Sequence, residues 1–122
     1  MKSEKRTDFS SYLEESWIQK KYTEFKNGAE ARAMRRIGKH LTRLNKLEKK
    51  AESNKHKPEV QRFNLMDISL TVNEARHDIK KLRRKNMSKD MHDELIEVER
   101  ELDRFKQYSD DGLNYLMINQ LI

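Results

Sequence analysis

Residues 32–51 read RAMRRIGKHLTRLNKLEKKA, and this stretch decides the fold because it separates into two faces when it is wound as a helix. At about 100° per residue the apolar side chains fall on one side of that helix and the basic side chains on the other. The apolar residues are Ala33, Met34, Ile37, Leu41, Leu44 and Ala51. The basic residues, which form what we call the basic face, are Arg32, Arg35, Arg36, Lys39, Arg43, Lys46, Lys49 and Lys50. The stretch therefore predicts an amphipathic helix with an apolar back for packing and a cationic front.

The spacing of the apolar residues predicts packing against other helices. Met34, Ile37, Leu41 and Leu44 step by three, four and three residues, which is a heptad pattern. The pattern reaches Ala51 only across Glu48, the one acid between 32 and 51. We expect a helix over about 29–52.

A first helix is predicted before the basic one, over about 11–26. Ser11 and Glu14 have the spacing of a capping box, and Asn27-Gly28 follows as a stop. Lys20-Lys21-Tyr22 and Phe25-Lys26 alternate cations with rings, as single-strand binders do, but aromatic residues at helical spacing favour a core role.

Two more helices are predicted after a polar linker at 53–58. The third spans about 64–85, with Asn64 as a cap, and its apolar residues are Ile68, Val72, Ala75, Ile79 and Leu82. The fourth spans about 89–108, with Ser88 as a cap and Asp110-Asp111-Gly112 as a stop, and its apolar residues are Met91, Leu95, Val98, Leu102 and Phe105. We therefore expect an all-α fold.

The predicted architecture is a single helical domain over 1–122. It is an elongated bundle of three long helices, with the last two forming an antiparallel hairpin, plus a shorter N-terminal or C-terminal helix. Hydrophobic residues make up 34% of the chain and charged residues 39%, so the core must be thin. Thin cores gain burial by association, and we expect a homo-oligomer or a subunit of a larger assembly.

Charge is distributed unevenly along a chain whose net charge is +6. Residues 27–58 hold ten basic and three acidic side chains, whereas residues 87–122 hold four basic and nine acidic ones. Cysteine is absent, and no run of apolar residues has the length of a membrane span. We expect no membrane association and a cytoplasmic or nuclear protein, or one in the host cytoplasm if the chain is viral.

The residue patterns predict a non-enzymatic protein without a metal or cofactor. Glu74 and His77 have the Glu-x-x-His spacing of di-iron bundles, but a second copy of that motif is missing. His40, His56 and His92 are interpreted as surface residues. No glycine-rich phosphate loop or cysteine nucleophile is present.

The basic face predicts binding to a polyanion. A cationic helix lying along a phosphate backbone releases counterions, so we expect nucleic-acid binding, to DNA or RNA, mainly through phosphate contacts. The face has almost no counter-charge on its own helix, and acids of the fourth helix are expected to reach only its edges. A second basic cluster, which could extend the footprint or only complement a helix dipole, comprises Lys80, Lys81, Arg83, Arg84 and Lys85.

Two alternatives remain open at this stage. The same face could dock on an acidic protein surface, which would make the chain an adaptor, inhibitor or scaffold subunit, or it could pair with the acids of a second copy. The apolar tail at 113–122 could cover the end of the bundle or dock into a partner, with Leu113, Leu116, Met117 and Leu121 as the docking residues.

Overall fold

The computed structural model describes residues 28–85, 87 and 89–121, and within them it contains three α-helices and no strand. Helix α1 spans Gly28–Ser53, α2 spans Pro58–Arg83 and α3 spans Lys89–Ile118. The prediction of an all-α fold is confirmed. None of the described helices combines the length and the apolar character that crossing a membrane requires.

Several predictions concern residues outside the described part of the chain. These are the helix over 11–26 with its capping box at Ser11 and Glu14, the Asn27 stop, the Ser88 cap and the aromatic residues between 12 and 25. The predicted short N-terminal helix therefore stays a prediction.

The heptad residues of α1 form the core as predicted. Met34, Ile37, Leu41 and Leu44 are fully buried, and Ala33 and Ala51 are buried with them. Leu47, to which the spacing did not point, is buried as well. The apolar back of α1 is therefore continuous along most of the helix.

Glu48, the acid in this seam, is accommodated by a charge from α3. Arg104 donates from its two terminal nitrogens to the two carboxylate oxygens of Glu48, at 2.9 and 3.2 Å. The Glu48 side chain is only 14% exposed, and a bidentate contact of this kind offsets much of the cost of removing a carboxylate from water. The acid thereby becomes a link between α1 and α3.

Helix α2 begins earlier than predicted, at Pro58 rather than at Asn64 or Leu65. Proline is favourable in the first turn because its missing N–H has no partner to bind there and its φ is already helical. Lys57 before it is extended, with φ −121° and ψ 89°. Asn64 therefore lies inside the helix and does not cap it.

Helix α3 continues past the predicted stop and ends at Ile118, so the stop at Asp110-Asp111-Gly112 is wrong. Gly112 lies inside the helix, against the fully buried Leu65 of α2. A Cβ built on Gly112 would lie 2.6 Å from Cδ1 of Leu65. The glycine allows close approach of two helices instead of ending one.

The actual end of α3 is a Schellman motif. Gln120 has a positive φ of 55°, its N–H donates to the Met117 carbonyl at 3.0 Å, and the Leu121 N–H donates to the Leu116 carbonyl at 2.8 Å. These two bonds satisfy carbonyls that the last turn leaves without helical partners.

Helices α2 and α3 run antiparallel. Arg83 near the end of α2 pairs with Glu99 early in α3 at 3.0 Å, and Arg76 pairs with Asp103 further along at 2.7 Å. At the other end, the buried Ser109 hydroxyl donates to the Leu65 carbonyl at 2.7 Å.

Helix α1 runs antiparallel to α2 and parallel to α3. Its contacts with α3 include those of Glu48 with Arg104 and of Glu52 with Tyr108, each between residues 56 positions apart. The Tyr108 hydroxyl donates to Glu52 at 2.5 Å, and this bond lowers the pKa of Glu52, while burial and the same bond raise the pKa of Tyr108. Since α2 alternates in direction with both neighbours, the start of α1 lies beside the end of α2.

Candidate nucleic-acid interface

The eight predicted basic residues all lie on α1, and all are exposed to solvent. The buried heptad residues hold the opposite side of the helix, so the core fixes the direction in which the cations point. Their surroundings differ, however, because α2 packs along one edge of the face. Seven of the eight cations divide into an inner row next to α2 and an outward row, and the eighth, Arg35, has an interaction partner of its own.

The inner row is neutralised by acids of its own chain. Arg36 pairs with Asp78 at 3.4 Å, and Arg43 pairs with Asp67 at 3.7 Å. Acids of the fourth helix were expected to reach the edges of the face, whereas these two arginines pair with acids of α2, which no prediction included. The acids come from α2, because the antiparallel packing of α1 and α2 places Asp67 beside Arg43 and Asp78 beside Arg36.

His40 belongs to this inner row and is not a surface residue as predicted. Its side chain is 19% exposed, with Nε2 3.1 Å from Asp78 Oδ2 and Nδ1 3.9 Å from Glu74 Oε1. Glu74 therefore faces a histidine of the neighbouring helix. The described residues contain no group of three or more side chains arranged to hold a metal ion.

The outward row has no such neutralisation. Its five cations make no ion pair with any residue that the structure describes, and they are Arg32, Lys39, Lys46, Lys49 and Lys50. Lys46 and Lys50 are like charges one turn apart, a spacing that weakens an isolated helix by a few tenths of a kcal/mol. The row therefore presents positive charge to solvent along most of α1.

The start of α1 and the end of α2 enclose a cationic cleft of about 600 Å³. Its floor includes the buried side chains of Ala33 and Leu82. Its rim carries five exposed cations, namely Arg32, Arg36, Lys81, Arg84 and Lys85. The structure thus joins one end of the basic face to part of the second basic cluster.

Two members of the second cluster do not line this cleft. Arg83 points to α3, where it pairs with Glu99, and Lys80 is exposed outside the cleft lining. The sequence showed both clusters but not that they line one cleft, because the cleft residues of α1 and α2 are at least 45 positions apart (81 − 36 = 45) and meet only through helix packing.

Most of the acids of α3 already have partners on α2 or on α3 itself. Glu97 pairs with Arg100 at 2.9 Å, and Glu101 pairs with Arg104 at 2.6 Å. A second copy of the basic face would have to compete with these contacts.

The predicted docking residues of the tail divide between core and surface. Leu116 is buried, and Leu113 packs partly buried against the core. Met117 and Leu121 are exposed, as are their neighbours Tyr115 and Ile118. Docking of a partner at this end stays a prediction for the exposed side chains.

An exposed apolar stripe on α2 was not predicted. Phe63 and Leu70 are 62% and 60% exposed, and Met66 lies between them. The three-four spacing of 63, 66 and 70 could have shown this stripe, since it lies on the side of α2 opposite to the buried 65, 68 and 72.

Comparisons with protein-family models, curated protein sequences and solved structures give no match to this chain.

Proposed function

We propose that this protein is a non-enzymatic nucleic-acid-binding protein with a regulatory or accessory role. Its basic face would hold phosphate groups, mainly through the outward row. The observation that carries the proposal is that five exposed cations share one side of α1 without an ion pair to a described residue, while the arginines beside α2 have acid partners.

Physical chemistry supports a polyanion as the ligand of this row. A row of cations on a rigid helix neutralises successive phosphates and releases the counterions condensed on them. Such contacts give affinity and position without base specificity. Binding of a polyanion would supply the free energy that offsets the repulsion between like charges one turn apart on the helix.

The rival function is that of an adaptor whose basic face docks on an acidic protein. It would use the same cations, so the two functions differ in the ligand and not in the site. Polyglutamate carries the charge of an acidic protein without phosphates, and it serves as the probe for this alternative.

The test is binding of labelled duplex DNA, duplex RNA, single strands and polyglutamate by fluorescence anisotropy, across about 50 to 200 mM salt. The variant Lys39→Gln/Lys46→Gln removes two charges from the outward row. Its matched control, Arg100→Gln/Lys106→Gln, removes two charges from α3, where each has an acid partner on its own helix.

If both lysines contact duplex phosphates, the slope of log K against log salt falls by about 1.8, which is about 60-fold in affinity near 0.1 M salt. The control should bind as the wild type does. Failure of every nucleic acid to bind at the lowest salt would refute the proposal. Tighter binding of polyglutamate than of any nucleic acid would favour the adaptor.

A further inference from the structure

We infer that the cationic cleft is a binding site for closely spaced phosphate groups, and that Arg36, oriented by the buried Asp78, is the central residue of that site. The inference goes beyond the proposed function, because it assigns a compact anion to a site between two helices and not to the outward row. Three observations carry it: the contact between Arg36 and Asp78, the charges around the cleft, and the size of the cleft.

Asp78 fixes one edge of the Arg36 side chain. The ion pair joins Nε of Arg36 to Oδ1 of Asp78 at 3.4 Å, and Oδ2 of the same carboxylate lies 3.1 Å from Nε2 of His40. A guanidinium has a second edge, formed by its two terminal nitrogens, which can bind a phosphate through two parallel hydrogen bonds. Because the contact is made through Nε and the Arg36 side chain is 49% exposed, this second edge is available to a ligand in the cleft.

The buried carboxylate acts on anion binding in two opposite ways. Asp78 is only 7% exposed, so the packing of α1 against α2 fixes its position. An arginine that such a group already holds loses less conformational freedom when a ligand binds, which favours binding. The negative charge of Asp78 also repels an anion, which disfavours binding. Substitution of Asp78 therefore distinguishes a site with an oriented arginine from a surface that attracts anions by charge alone.

The other charges around the cleft are all positive. Four exposed cations surround Arg36 and make no ion pair with any residue in the described part of the chain, and they are Arg32, Lys81, Arg84 and Lys85. The dipole of α2 favours cations near the end of that helix. It does not account for the two arginines near the start of α1, which bring their charge to the same cleft. A ligand with several negative charges would neutralise both groups at once.

The cleft has the size of a site for a small molecule. Its volume of about 600 Å³ lies within the range of about 300–1,000 Å³ that is usual for such sites. The buried side chains of Ala33 and Leu82 form part of its floor, and cations stand on both helices beside them. A compact ligand can therefore be contacted from α1 on one side and from α2 on the other. Phosphate groups joined within one small molecule place several charges in such a volume.

The experiment is calorimetric titration of the full chain with inorganic tripolyphosphate. The cleft variants are Lys81→Gln, Arg36→Lys and Asp78→Asn. The matched control Lys46→Gln removes one lysine charge from the outward row, ten residues from Arg36. This separation is about 15 Å along α1, which exceeds the Debye length of about 8 Å at 0.15 M salt. Far-UV circular dichroism melts establish that each variant folds.

We expect the wild type to bind one tripolyphosphate per chain. Lys81→Gln should weaken binding by about two- to fivefold, as the loss of one exposed ion pair does, and Lys46→Gln should leave it unchanged. Arg36→Lys keeps the charge but removes the second edge, so it should weaken binding by at least about tenfold. Asp78→Asn makes the protein more positive, yet it should weaken binding at least about twofold, because a neutral amide holds the guanidinium less firmly.

Three results would overturn the inference. Equal weakening by Lys46→Gln and Lys81→Gln would show attraction by charge alone. Wild-type affinity in Arg36→Lys, or tighter binding in Asp78→Asn, would show that an oriented arginine is not the centre of the site. No binding of tripolyphosphate by the folded wild type would remove the site, and nucleic-acid binding through the outward row would stand or fall by its own test.

A second titration distinguishes a free oligophosphate from the phosphates of a nucleic acid as the source of the ligand. Duplex DNA is titrated with and without saturating tripolyphosphate, and into Lys81→Gln. If backbone phosphates enter the cleft, both changes should weaken duplex binding. Duplex binding that neither change affects would assign the cleft to a free oligophosphate. Binding of tripolyphosphate by a protein that binds no nucleic acid would support the inference and refute the proposed function.

Discussion

Substituting Gly112 tests the main departure of the structure from the sequence pattern, the continuation of α3 through a glycine. In an open helix, Gly→Ala stabilises by about 0.8–1.0 kcal/mol because alanine has the higher helix propensity. In this structure the added Cβ would lie 2.6 Å from Cδ1 and 3.2 Å from Cδ2 of Leu65. The sign of the effect therefore shows whether the close approach exists.

The expected magnitude follows from two opposing terms. Leu65 is fully buried, so moving its side chain away from the added methyl group disturbs the packing around it, and overpacking of this kind costs about 1–3 kcal/mol. Subtracting the propensity gain leaves Gly112→Ala destabilising by about 1 kcal/mol. Leu65→Ala alone should cost about 2–5 kcal/mol through lost burial and a cavity.

The two substitutions should be strongly coupled. With Leu65 shortened, the methyl group that Gly112→Ala adds has room, and this substitution should then stabilise by about 1 kcal/mol, the opposite of its effect in the wild type. The assay is urea denaturation of the four proteins in the double-mutant cycle, monitored by far-UV circular dichroism. Their free energies of unfolding are compared provided that the four m values agree.

A matched control uses Leu82, another fully buried leucine of α2 near its other end. Gly112→Ala combined with Leu82→Ala should be additive within about 0.5 kcal/mol, because the two sites share no contact. The reasoning is refuted if Gly112→Ala stabilises the wild type, or if its combination with Leu65→Ala is equally additive.

Two further predictions concern the ends of the helices. Tyr108→Phe should lower the free energy of unfolding near neutral pH by about 0.5–1 kcal/mol, a range kept small because Glu52 is well exposed to solvent. Because the bond lowers the pKa of Glu52 below its ordinary 4.5, its contribution is present above that pH and lost as pH falls below it, so urea midpoints of wild type and variant should converge in acid. Gln120→Gly should raise the stability by about 1 kcal/mol in thermal melts, since φ of 55° is costly for glutamine and free for glycine; an unchanged melting temperature would contradict the Schellman end.

Helix type and core positions could be predicted from the sequence because they depend on short-range periodicity. The four-three spacing from Met34 to Leu44 predicted buried residues, and all are buried. The helix ends were harder to predict, because a glycine or an asparagine can lie at the end of a helix or inside it. Gly112 was interpreted as a stop, but it lies where two helices approach closely.

The candidate site could be predicted only in part. The pattern placed the cations on one side of α1, and the structure places them there, exposed. It could not show that Arg36 and Arg43 have acid partners, since Asp78 and Asp67 lie more than twenty residues away in sequence. His40 was misinterpreted for the same reason.

By itself the sequence determined that the chain is helical and that α1 has an apolar back and a cationic front, because both follow from side chains three and four residues apart on a helix. Only the tertiary structure decided which cations keep their charge uncompensated and which meet in the cleft. Those properties depend on the direction in which α2 packs against α1. Ion pairing acts over a few ångströms in space, and antiparallel packing brings together residues that are far apart along the chain.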